Sequence, residues 1–110
     1  MLRADVIKLI TENRTGHGVH EAVTDTARTV YCTVQSVSRS EFYNGLNAGV
    51  MPEYVFRLSL AEDYRNERIV YYRGQKYRVI RTYVTEDDGI EITVERSDER
   101  GTDEIHTEDE

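Results

Sequence analysis

"IVYYRGQKYRVIRTYV", residues 69–84, decides how this chain folds. Apolar and polar residues alternate on both sides of a single glycine, Gly74. Alternation of period two belongs to strands, whose successive side chains point to opposite faces. A glycine between two such runs marks a hairpin, and Gly at the first central position suits a type II′ turn at Gly74-Gln75. That register sets Tyr72 opposite Tyr77 and Val70 opposite Val79. Cross-strand aromatic and β-branched pairs contribute roughly 0.2–1 kcal/mol each. The second arm changes its apolar phase at Val79-Ile80, which predicts a bulge or sharp bend of the kind found at barrel corners. Tyr71 and Tyr72 are adjacent and must face opposite ways. Ile69, Tyr71 and Ile80 then share one face, and Val70, Tyr72, Tyr77 and Val79 the other. One face can fill a core. The other needs a cover.

The same alternation recurs outward from this hairpin. Ile7 and Leu9 form one inner face, and Val30, Cys32 and Val34 another. Tyr54, Phe56, Leu58 and Leu60 form a third, and Ile90, Ile92 and Val94 a fourth, with Glu91 and Glu95 outward. Asp88-Gly89 marks the tight turn before the last of these. The total is about six antiparallel strands in residues 1–96. Six strands in so short a chain cannot build two broad packed sheets. An all-β fold, a small closed barrel that removes exposed edges, is expected.

Two long connections interrupt the pattern. Residues 12–27, "ENRTGHGVHEAVTDTA", are polar and glycine-bearing and predict a mobile loop. Residues 36–49, "SVSRSEFYNGLNAG", contain Ser38 followed three residues later by Glu41, the pattern of a capping box. A short helix is expected there, ended by Asn44-Gly45 or Ala48-Gly49. Pro52, the only proline, opens the next strand where a missing N–H is tolerated. The adjacent aromatics Phe42 and Tyr43, with Leu46 behind, are unusual in such a segment. Either one of them lids the barrel, or the segment projects to meet a partner.

The 110 residues carry a net charge of −7. Residues 97–110, "SDERGTDEIHTEDE", hold seven acids and one arginine, or −6, leaving −1 for the body. The body is therefore nearly neutral, and the tail is expected to be disordered in isolation. Neither part has the basic excess with which proteins neutralise phosphates. No apolar stretch approaches the ~20 residues that span a bilayer, and the N-terminal run does not have the form of a signal peptide.

The sequence proposes no catalytic residues, no metal centre and no cofactor site. His17 and His20 with Glu21 are ligand types, but a glycine-flanked loop without a fourth ligand favours a solvated segment. Cys32 lies on an apolar strand face, where a free thiol acts as a small hydrophobe. No phosphate-cradling glycine motif or nucleophile signature is present. "YYRGQKYR" interleaves aromatics with Arg73, Lys76 and Arg78, which keeps open an OB-like barrel binding single-stranded nucleic acid.

Four stretches, taken in order, resemble a known family. They are "IKLITENRTGHG", "YCTVQSVSRSEFYNG", "RIVYYRGQKYRVI" and "GIEITVERS". Together they are similar to the head-closure proteins (head-completion, head–tail adaptor or stopper proteins) of long-tailed bacteriophages and prophages, over residues 1–96. The resemblance implies a non-enzymatic structural β-barrel that assembles as a homo-oligomeric ring of 12 copies in the virion neck. It implies a portal or adaptor ring above, a tail protein below, and packaged double-stranded DNA passing through the channel without specific binding. Synthesis in the bacterial host cytoplasm and no membrane partner follow. The channel- or partner-facing loop would carry Ser38, Glu41, Phe42, Tyr43, Asn44 and Leu46. The subunit interface would use Ile69, Tyr71, Arg73 and Ile80. A tail-completion or minor tail ring protein is the alternative of the same kind.

Overall fold

The structure, a computed structural model, describes residues 3–15 and 22–97. Six strands form a closed antiparallel barrel: β1 (Arg3–Thr15), β2 (Ala22–Ser36), β3 (Pro52–Leu58), β4 (Ile69–Tyr72), β5 (Gln75–Val84) and β6 (Ile90–Arg96). Their order around the barrel is β1-β2-β3-β6-β5-β4, and β4 closes it by pairing with β1. One helix, α1 (Arg39–Asn47), joins β2 to β3, and a single 3-10 turn at Ala61–Asp63 lies between β3 and β4.

The interior is built from the alternating faces. Phe56, Ile7, Leu9, Val34, Val70, Ile92 and Val94 are buried in one cluster with Cys32 and Leu58. Tyr72 and Tyr77 join it, their rings edge-on to Phe56. Edge-to-face packing adds about 0.5–1.5 kcal/mol per pair beyond simple burial. The Tyr72 hydroxyl reaches the rim, where it donates to Asp5 and accepts from Arg3. A large ring is thereby buried without stranding its polar end. Burial pushes the Cys32 thiol up to about 12, with the Asp5 charge adding to the shift, so it stays protonated at neutral pH.

Three expectations need correction. The β4–β5 turn is centred one residue earlier, on Arg73 (φ 53) and Gly74 (φ 81), which is type I′ rather than II′. Tyr72 accordingly pairs with Gln75, and Val70 with Tyr77. Arg73 is held in the left-handed region by its guanidinium, which binds Asp5 at 3.0 Å and lies over the Tyr72 ring. Because the slip is two residues across the ladder, every side chain keeps its expected face. The second correction concerns residues 12–27: β1 continues to Thr15 and β2 begins at Ala22, with Glu12 opposite Asp25. The polar composition had hidden this extension. β4 pairs with β1 only over Lys8–Ile10, so the backbone ladder of this arm runs on past the β1–β4 seam. Third, β3 ends at Leu58 and Leu60 is exposed, because the chain turns out there into the 3-10 turn.

The predicted bulge is present. Val79 pairs with Val94 and Arg81 with Thr93, so Ile80 is the extra residue in β5. Asp88 (φ 68) and Gly89 make the β5–β6 turn, with the Thr85 N–H donating to the Gly89 carbonyl at 2.9 Å. Residues 98–110, most of the expected disordered tail, lie outside the described residues, as do His17 and His20.

Candidate functional site

The site is built around α1. Ser38 is its N-cap, and its Oγ accepts from the Glu41 N–H at 3.1 Å. The Glu41 carboxylate does not close a reciprocal box. It forms an ion pair with Arg81 on β5, tying the helix to the barrel. The helix ends at Ala48-Gly49, where Gly49 takes φ 88 and donates to the Leu46 carbonyl. Gly45, the other expected terminator, sits within the helix and is buried. A Cβ there would stand 2.7 Å from Pro52 Cγ and closer still to Cδ, so the glycine is required by contact rather than by dihedral angle.

Pro52 fixes where the helix lies. It pairs with Glu95 across β3 and β6, and opposed residues in a ladder share a face. Glu95 alternates with the inward Val94, so Pro52 is on the outer wall and α1 packs outside the barrel. Neither Phe42 nor Tyr43 belongs to the barrel core.

A row of side chains crosses the outer wall beside the helix. Ile69 faces Arg78, Arg78 faces Glu95 and Glu95 faces Pro52, spanning four strands. Between this row and Ser38, Arg39, Phe42 and Tyr43 of the helix lies a groove of about 1130 Å³. Met51 and Arg96 complete its rim. The Phe42 and Tyr43 rings meet edge-on at 5.8 Å.

The polar floor is tightly satisfied. Glu95 accepts the Met51 N–H at 3.0 Å and forms an ion pair with Arg78. Burial works to raise its carboxyl, but the Met51 N–H and Arg78 together hold it below the ordinary value. The geometry sinks the acid and lifts the base: the Glu95 side chain is 10% exposed, the Arg78 side chain 60%. Glu53 pairs with Arg96 at 3.3 Å, again with the guanidinium more exposed. Arg39 has no ion-pair partner among the described residues. The groove therefore presents guanidinium groups above an apolar lining, on a chain whose net charge is negative.

Of the residues expected in a loop site, Ser38, Phe42 and Tyr43 line this groove, together with Ile69 from the expected interface. Glu41 is turned away to Arg81. Asn44 and Leu46 lie on the helix but do not line the groove. Tyr71 lies on the outer wall opposite Lys8 and Lys76, Arg73 is engaged by Asp5, and Ile80 is the bulge residue. Arg39, Met51, Arg78, Glu95 and Arg96 were not anticipated. Glu95 was legible as an outward strand residue and Arg78 only as part of the basic hairpin. Arg39 lies on α1 and Met51 just before β3, and the convergence of all five depends on strand neighbours far apart in sequence.

Other polar clusters look structural. Glu67, buried, takes Arg28 Nη2 at 2.7 Å and the Arg65 N–H at 2.8 Å. Arg57 grips Asp87 through two hydrogen bonds at the β5–β6 turn. In the hairpin that hinted at nucleic-acid binding, Arg73 is engaged by Asp5 and Arg78 by Glu95, and Lys76 is buried. Among the described residues no group of three or more His, Cys, Asp or Glu is placed to hold a metal ion. No helix among them is long and apolar enough to cross a membrane.

No protein-family model matches this chain, and no curated protein matches it.

Proposed function

We propose that this protein is a structural subunit of a ring at the head–tail connection of a long-tailed phage, closing the DNA-filled head and offering the surface on which a tail docks. The observation that carries this reading is the apolar surface around α1. Tyr43 is 57% exposed, Leu46 42% and Met51 59%, all on the outer side of a barrel whose core is already complete. Contiguous exposed apolar groups of this kind mark contact surfaces more often than solvated ones. The helix is pinned by Gly45 against Pro52 and by Glu41 to Arg81, so the surface is presented by a rigid support.

In this reading sister copies meet side by side, one covering the α1 flank of the next. The resemblance supplies the rest: 12 copies, a portal or adaptor above, a tail protein below, a position in the virion neck. A near-neutral barrel suits a wall that duplex DNA passes without sticking. A tail-completion ring would use the same surface. Pairing of the hairpin arginines with Asp5 and Glu95 gives no support to single-stranded nucleic-acid binding.

Light scattering on the purified chain at rising concentration, and with a portal complex added, tests the proposal. Growth in mass under either condition is expected. A monomer under both would overturn it.

A further inference from the structure

We infer that the groove between α1 and the outer wall is the docking site for the chain's own C-terminal segment, residues 98–110, bound in cis. The inference concerns the isolated chain and does not rest on the ring; in a ring, a sister copy covering Tyr43 and Met51 would displace the segment from the groove.

Three observations converge on it. The first is position. Arg96 and Ser97, the last described residues, themselves line the groove, so the segment that follows starts at its edge. A tethered segment this close has an effective concentration of about millimolar, which no free partner in solution matches easily. The second is charge. Residues 98–110 hold seven acids and one arginine. The groove offers Arg39, unpaired among the described residues, and Arg78 and Arg96, whose partner carboxylates are the more deeply covered members of their pairs. The body as a whole is slightly acidic, which sets this patch apart. The third is chemistry of the lining. Phe42, Tyr43, Met51 and Ile69 form an apolar strip beside the arginines. Ile105 is the one aliphatic residue in the segment, flanked by acids at 103, 104 and 108. An acidic stretch with a single apolar anchor is what a groove of arginines and aromatics would accept.

A spin label reads this directly. Thr107→Cys in the full-length chain provides the attachment site, and Cys32, buried and protonated at neutral pH, is left unlabelled. In a dilute ¹⁵N-labelled sample the nitroxide is expected to erase most of the amide intensity at Arg39, Tyr43 and Met51. Val6 and Tyr31, on the β1–β2 side, are expected to keep theirs. Arg39→Glu and Ile105→Ser are each expected to restore the lost intensity. Arg39 is in the first helical turn, where an acid is well tolerated, and residue 105 follows the last strand by nine positions in sequence, so at least one variant keeps the fold. Even broadening of both walls, or intensity unchanged by both substitutions, would overturn the inference. So would broadening in a mixture of spin-labelled unenriched chain with ¹⁵N chain lacking the label, since the segment would then sit on a second copy.

Discussion

Gly45 shows how one missing methyl group sets the position of an element. Inside a helix, Ala is better than Gly by about 0.8–1 kcal/mol. At this position the added Cβ would meet the Pro52 ring, which is itself buried and locked in the β3–β6 ladder. Overpacking a closed contact costs about 1–3 kcal/mol. The clash therefore outweighs the propensity, and Gly45→Ala is expected to lower stability by about 1 kcal/mol in urea unfolding. A stability gain would mean that α1 does not seat on Pro52. Glu67 is the second residue whose surroundings make a definite forecast. Burial works to raise its carboxyl, but Arg28 and the backbone N–H groups of Arg65 and Glu67 hold it below its ordinary value of 4.5. The folded form thus takes up the proton less readily than the unfolded chain. Its contribution is complete above about pH 4.5 and fades as pH falls through the lower folded value. Glu67→Gln is expected to lose about 1.5–3 kcal/mol at neutral pH, the range for a hydrogen bond to a charged group. It should also flatten the acid limb of a melting-temperature profile. Asp5, Asp87 and Glu95 are lowered as well, so some slope remains. An acid limb identical to that of the wild type would show that Glu67 carries no linkage.

Among the elements, strands were legible wherever one face is dry. Phe56, Ile92 and Val70 sit on the inner positions of the alternation, and the barrel interior follows from them directly. Where the sequence has no apolar alternation the signal vanished: the outer half of the β1–β2 hairpin is a regular ladder written mostly in polar residues. The β4–β5 turn failed for a different reason. A lone glycine fits either type of two-residue turn, and the choice of I′ rests on Arg73 being held by Asp5, 68 positions away in sequence. The helix start could be inferred because Ser38 acts on its own neighbours. The groove could not, because Ile69, Arg78, Glu95 and Pro52 become a row only after β3 and β6 pair. The turn also carries a prediction. Gly74 takes φ 81, and a Cβ added there would meet open space, so Gly74→Ala brings no clash and costs only the left-handed backbone strain. That strain is about 1–2 kcal/mol. Chemical unfolding should show a loss of that size with no change in the slope against denaturant. A neutral substitution would show that the turn relaxes to another type.

At the scale of the whole molecule, the barrel and the ring proposed for it are separable. The core closes within one chain, so a substitution on the outer surface of α1 should change association and leave folding alone. Tyr43 is the residue for this test. It is 57% exposed and outside the core cluster, and surface changes of that kind usually alter stability by no more than about 0.5 kcal/mol. If sister copies cover the α1 flank, Tyr43→Glu places a charge in a contact that must desolvate it, which is strongly unfavourable. The variant should then remain monomeric at concentrations where the wild type gains mass, with an unchanged unfolding midpoint. Tyr31→Glu supplies the contrast. Tyr31 is more exposed still, but it lies on the β1–β2 wall opposite Val6, away from the helix. An association lost in Tyr31→Glu and kept in Tyr43→Glu would move the interface to the other wall and remove the argument that α1 is the contact element. Loss in both would place copies against two walls of the same barrel, as side-by-side closure of a ring requires of each subunit.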